Sequence, residues 1–118
     1  MAERIVESKS YAFAVRVVNE VRRIKKETRE HELASQLLRS GTSIGANVSE
    51  ARYAHSDKDF HLKHRIALKE ANETRYWLRL LRDTGVMKDD SAKMLIADVD
   101  ELIRIIASIV RSTQEKLS

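Results

Sequence analysis

Four histidines, a run of small residues between two glycines, and a pair of glutamates three apart are the parts of this 118-residue chain that could do chemistry. In a helical bundle the first such chemistry is a di-iron carboxylate centre, which needs a Glu-x-x-His motif on each of two helices. Three residues before His31, His55, His61 and His64 stand Thr28, Arg52, Lys58 and His61, so that motif is missing. Asp57, His61 and His64 share one helix face and are a conceivable metal set. Three ligands at that spacing are weak evidence, and His64 borders a core stripe. The pair therefore reads as surface or partly buried histidines. Gly41-Thr42-Ser43-Ile44-Gly45 imitates a phosphate loop but lacks the Gly-Lys-Ser/Thr ending, and no strand precedes it. Glu70 and Glu73 lie beside Lys69 and Arg75, which suits salt bridges or interface hydrogen bonds better than acid–base work. No serine is accompanied by a base and an oxyanion site. The expectation is a protein that is not an enzyme, with no catalytic, cofactor-binding or metal-binding residues.

Whatever these residues do, helices must hold them. The chain has no proline and three glycines, where turn-rich β folds need both residue types. It has no cysteine, which excludes disulfides, thiol catalysis and cysteine-type zinc sites. Its apolar share is 42% and its charged share 34%, enough apolar residue to bury a core. Apolar residues recur at three- and four-residue steps in four segments. The first begins near Ser8 or Ser10, with Tyr11, Ala14, Val17, Val18, Val21 and Ile24 inward. The second runs from about Glu30 to Ala54, with Ala34, Leu37, Leu38, Gly41, Ile44, Gly45 and Val48 inward. Gly41 and Gly45 let a neighbouring backbone come close. The third is capped by Ser56 with Asp59 three residues on, buries Phe60, Ala67, Ala71, Thr74, Leu78 and Leu81, and ends at Gly85. The fourth starts near Asp89, Asp90 or Ser91, carries Leu95, Val99, Leu102, Ile103, Ile106 and Val110, and gives way to a polar tail from Gln114 to Ser118. Short connections predict an all-α, antiparallel up-down-up-down four-helix bundle forming one domain over residues 1–118.

The apolar pattern exceeds what one bundle needs. On the third segment Leu62, Ile66, Tyr76 and Leu80 lie away from the core direction, with Trp77 between. Opposite the second segment's core stripe stand Gln36, Ser40, Ser43, Asn47, Glu50 and Ala54, small or neutral where a solvent face usually carries lysine and glutamate. Leu62, Ile66, Tyr76, Trp77 and Leu80 are therefore predicted as a subunit interface, with Ser40, Ser43, Asn47 and Glu50 as polar contacts. The net charge is +4. Arg22, Arg23, Lys25, Lys26 and Arg29 form one basic cluster and Arg75, Arg79 and Arg82 a second, candidates for sequence-independent phosphate contacts with RNA or DNA. Aromatic residues are only 5%, too few for a base-stacking platform, and acids are interleaved throughout. Met1-Ala2-Glu3-Arg4-Ile5 has charges where a signal peptide needs an apolar core, and no apolar stretch is long enough for a membrane span. A cytoplasmic location without membrane contact is expected.

The run from Leu37 to Ala51, Leu-Leu-Arg-Ser-Gly-Thr-Ser-Ile-Gly-Ala-Asn-Val-Ser-Glu-Ala, resembles the hallmark segment of proteins encoded in intervening sequences of 23S ribosomal RNA genes, also called the S23 ribosomal protein family. Asp59-Phe60, the run Ile66 to Ala71, Glu73-Thr74 and Tyr76-Trp77-Leu78 match its second half, and Lys9 to Ala14 its opening. The resemblance spans nearly the whole chain. It implies an antiparallel four-helix bundle and ring-shaped homopentamers. It also implies kinship with accessory proteins of diversity-generating retroelements, which bind a reverse transcriptase and nucleic acid through a basic surface. No enzymatic activity follows from it. The reading from sequence is a homo-oligomeric protein, pentameric by resemblance, that binds another macromolecule as a scaffold. The alternative is a nucleic-acid-binding accessory protein; the partner is a protein in the first reading and RNA or DNA in the second.

Overall fold

A computed structural model of the chain describes residues 2–118, so Met1 lies outside it. Four helices follow one another: α1 (Ala2–Glu27), α2 (His31–Ala51), α3 (Asp57–Asp83) and α4 (Asp89–Leu117). Each packs on the next and α4 returns to α1, so the four close into a square bundle of 47 × 20 × 20 Å.

The α1 helix starts well before Ser8, because its buried stripe continues backward at the helical period through Phe13 and Ser10 to Val6. That stripe is Val6, Ser10, Phe13, Val17, Val21 and Ile24. Tyr11, expected inward, is 72% exposed, while Phe13 is fully buried in its place. Extrapolating from Val17 by fours and threes meets Phe13 and Ser10; Tyr11 falls about 100° to one side.

The α2 helix buries Ala34, Leu37, Ser40, Gly41, Ile44, Val48 and Ala51 and stops three residues short of Ala54. Its glycines serve the α1–α2 crossing. A Cβ at Gly41 would stand 2.9 Å from a Val17 methyl, and one at Gly45 would stand 3.3 Å from the Ser10 carbonyl oxygen. Ser56 caps α3 by accepting from the Asp59 N–H at 3.0 Å, and the Asp59 carboxylate accepts from the His55 N–H at 3.3 Å. At the other end Gly85 takes φ +79, which favours glycine. The Val86 N–H then reaches the Leu81 carbonyl at 3.0 Å and the Gly85 N–H reaches that of Arg82 at 3.1 Å, a complete Schellman motif. Helix α4 remains helical through the segment expected as a polar tail and ends at Leu117.

Ion pairs fix the antiparallel register. Lys63 meets Glu50 at 3.0 Å and Arg39 meets Glu70 at 3.2 Å between α2 and α3. Arg16 meets Asp98 and Lys9 meets Glu101 between α1 and α4. Among the described residues no helix is long and apolar enough to cross a membrane.

Candidate functional site

The bundle interior holds one unusual polar feature. His61 and His64, expected at or near the surface, are 5% and 1% exposed. Thr113 gives its hydroxyl proton to the Ile109 carbonyl at 2.9 Å, so its oxygen accepts from His61 Nδ1–H at 2.6 Å. His64 Nδ1–H donates to the Phe60 carbonyl at 3.0 Å, since a carbonyl can only accept. Both Nε2 atoms then point lone pairs into the interior without a partner. Burial pushes the His64 imidazole below its ordinary value and His61 adds to that, while the Phe60 carbonyl and the Glu3 carboxylate pull the other way. Asp57, the third member of the conceivable metal set, is exposed and reaches Lys116 at 3.6 Å instead. The three do not converge, and among the described residues no group of three or more metal-ligating side chains does.

The predicted interface residues fall along the outward face shared by α2 and α3. Leu62 is 49% and Tyr76 57% exposed. Ile66 and Leu80 are half-buried yet stand outside the core cluster, whereas Trp77 packs its ring against that core. The Trp77 indole N–H donates to Glu73 at 3.0 Å, and Glu73 also meets Arg39, so the conspicuous Glu70–Glu73 pair belongs to an ion-pair network. The Tyr76 and Trp77 rings meet edge to face at 5.1 Å. Ser43 and Asn47 are half-buried and Glu50 is exposed on this face. Ser40 is a correction: it is fully buried and donates to the Gln36 carbonyl at 3.0 Å. It faces into its own bundle because its angle on α2 lies within the arc toward α3, so it is no outer contact.

The basic residues divide. Arg23 is taken by Glu20 at 2.7 Å and Glu27 at 3.3 Å, Arg75 by Asp100 at 2.7 Å, and Arg82 by Asp83 at 2.8 Å. Arg22, Lys25, Lys26 and Arg29 remain without carboxylate partners among the described residues. Arg22, Lys25 and Lys26 stand three and four residues apart and form one stripe toward the α2 side of α1, and Arg29 follows in the bend just beyond the helix end at Glu27. Arg79, also free, stands apart on α3. Sequence reasoning missed a further feature on that α2 side: a cleft of about 500 Å³ lined by Arg4, Glu7, Ser8, Tyr11, Gly45, Ser49 and Arg52. The exposure of Tyr11 was the only signal that could have found it, and the stripe count had assigned Tyr11 to the core.

The fold and these faces define a class: a compact antiparallel four-helix bundle whose distinctive surfaces are lateral and helical. The chain belongs to the 23S rRNA-intervening sequence protein family, whose model matches residues 2–108. A protein of unknown function from the S23 ribosomal protein family of Bacteroides thetaiotaomicron is 44% identical in sequence and superposes with a TM-score of 0.91. That match covers 94% of this chain and 99% of the other. No functionally curated protein matches.

Proposed function

We propose that this chain works as a non-enzymatic homo-oligomer, pentameric by family resemblance, that serves as a scaffold for another macromolecule. One observation carries the reading. Leu62, Ile66, Tyr76 and Leu80 stand outside the core along the α2/α3 face, an apolar strip that the monomer leaves exposed at Leu62 and Tyr76 and only half covers at Ile66 and Leu80. Burying such a strip against another copy removes it from water at roughly 25 cal/mol per Å² of apolar area. The test is the double variant Leu62→Glu with Leu80→Glu, compared with the parent by light scattering and circular dichroism. The variant is expected to stay helical and fall to a smaller mass. An unchanged mass assigns the contact elsewhere.

A second reading rests on the stripe of Arg22, Lys25, Lys26 and Arg29. Four cations without carboxylate partners among the described residues match the spaced charge that sequence-independent phosphate contact uses. Single-stranded RNA binding through this stripe weakens with salt, with a log–log slope of about 3 at roughly 0.7 per phosphate contact. Lys25→Glu with Lys26→Glu abolishes it. Retention of RNA by that variant at the parent's level removes this reading.

A further inference from the structure

We infer that a cavity beside the first turns of α1 binds a small, flat carboxylic acid that carries a hydroxyl group at its far end. His64 Nε2 accepts from that hydroxyl, and Arg4 holds the carboxylate. The site goes beyond the scaffold reading and is independent of it, since every residue it uses belongs to one copy.

The starting point is an acceptor without a donor. His64 Nε2 is buried and has no hydrogen-bond partner. Native interiors leave few such atoms, and each calls for a water, an ion or a ligand group. The imidazole is also held in place. The Phe60 carbonyl accepts from Nδ1–H at 3.0 Å, and the Phe60 ring lies 4.5 Å from the imidazole, tilted by 49°. The tautomer is thereby set, and Nε2 keeps its lone pair.

His64 lines a cavity of about 260 Å³ between the start of α1, the end of α2 and the start of α3. That volume lies just under the roughly 300–1,000 Å³ of drug-sized ligand pockets, which suits a single ring. The other walls divide by chemistry. Val48, Ala51 and Phe60 give an apolar floor, and Glu3, Arg4, Glu7 and Arg52 surround it with charge. Arg52 meets Glu7 at 3.3 Å. The Glu3 carboxyl is drawn below its ordinary range, first by its backbone hydrogen bond. Arg4 has no carboxylate partner among the described residues, so it is the charge left to be answered. A flat apolar body, a donor at the buried end and one negative charge at the mouth complement these walls. Arg4, Glu7 and Arg52 also border the larger cleft on the α1/α2 side, which gives the carboxylate end access to solvent.

The same end of the bundle offers a comparison. A cavity of about 280 Å³, also bordered by Glu3 and Phe60, reaches the Thr113 hydroxyl. That hydroxyl already accepts from His61 and donates to the Ile109 carbonyl. His61 lines neither cavity, so its bare nitrogen serves no ligand there. Only the first cavity joins a bare acceptor to an unanswered cation.

The probe is 4-hydroxybenzoate, titrated into the parent protein by calorimetry and followed by the imidazole nitrogen resonances. One saturable site per chain is expected, with the His64 Nε2 signal moving on binding. Benzoate, which lacks the hydroxyl, is expected to bind roughly tenfold more weakly, the worth of one hydrogen bond to a buried acceptor. Arg4→Gln weakens both ligands by a similar factor, and His64→Leu abolishes the preference for 4-hydroxybenzoate. Arg79→Gln, away from the cavity on α3, changes neither. Equal binding of the two ligands by the parent overturns the role of His64 without recourse to any variant. A preference that survives in folded His64→Leu does the same, and unchanged binding by Arg4→Gln overturns the role of the cation. The absence of saturable binding at millimolar concentration leaves the cavity to water and overturns the site itself.

Discussion

At the residue scale the buried histidines carry the sharpest consequence. His64 has one nitrogen satisfied and one bare in an apolar interior, and burial holds it neutral. Its folded value lies below the ordinary imidazole value of about 6.5, so between the two the unfolded chain binds the additional proton. The stability it supports is therefore complete above that ordinary value and is lost as pH falls toward the depressed one. His61 beside it opposes the charged form and Glu3 favours it without cancelling the effect of burial. Urea unfolding at pH 7.5 and pH 5.5 is expected to show a marked fall for the parent and a shallower one for His64→Leu. At the higher pH that variant should match or exceed the parent, because replacing an unsatisfied buried polar group by an apolar one removes a desolvation penalty. An equal pH slope in both proteins contradicts this account of His64. The sequence placed His64 beside the core stripe but did not reveal its burial. Polarity alone favours the surface, and the Thr113 hydroxyl that takes in His61 comes from α4, 52 positions away.

At the scale of elements, much was legible and the misses have one cause. Proline absence, the Ser56 cap and the Gly85 stop mark real boundaries, because caps are local chemistry. The start of α1 was misplaced because its polar-looking end contains Val6, which packing holds in place, and the end of α4 because helical hydrogen bonding runs on past the last buried residue, Ile109. The glycines of α2 were read as a close approach, and the partner proves to be α1 through Val17 and Ser10. Gly41→Ala gains about 1 kcal/mol of helix propensity. It also forces a methyl against buried, β-branched Val17, and overpacking of this kind costs about 1–3 kcal/mol, so the net is a loss. Chemical denaturation of a double-mutant cycle checks the cause: the same change in a Val17→Ala background should cost less. Additive effects at the two positions would mean that the α1–α2 approach does not set the cost.

At the scale of the whole molecule, Leu62 and Tyr76 are exposed, and Ile66 and Leu80 are half-buried outside the core cluster. The outward strip of Leu62, Ile66, Tyr76 and Leu80 was visible from helical angles alone, and it stands where those angles put it. The cleft between α1 and α2 was not visible, since it depends on Tyr11 turning outward and on α2 approaching α1 closely at Gly45. The basic clusters illustrate the same limit. Eight cations read as equivalent along the chain, yet Arg23 and Arg82 are occupied by carboxylates three and one residues away, and Arg75 by Asp100, which only the fold brings near. What remains is Arg22, Lys25 and Lys26 on α1, Arg29 just beyond it, and Arg79 apart on α3, without ion pairs among the described residues.

The most direct measurement is the mass of the parent protein in solution by light scattering, at low salt and after nuclease treatment. A nuclease-resistant mass near five chains is the result predicted from the outward apolar strip and the family resemblance. A mass of one chain, unchanged by concentration, contradicts the central claim and leaves Leu62 and Tyr76 as the docking surface of a different protein.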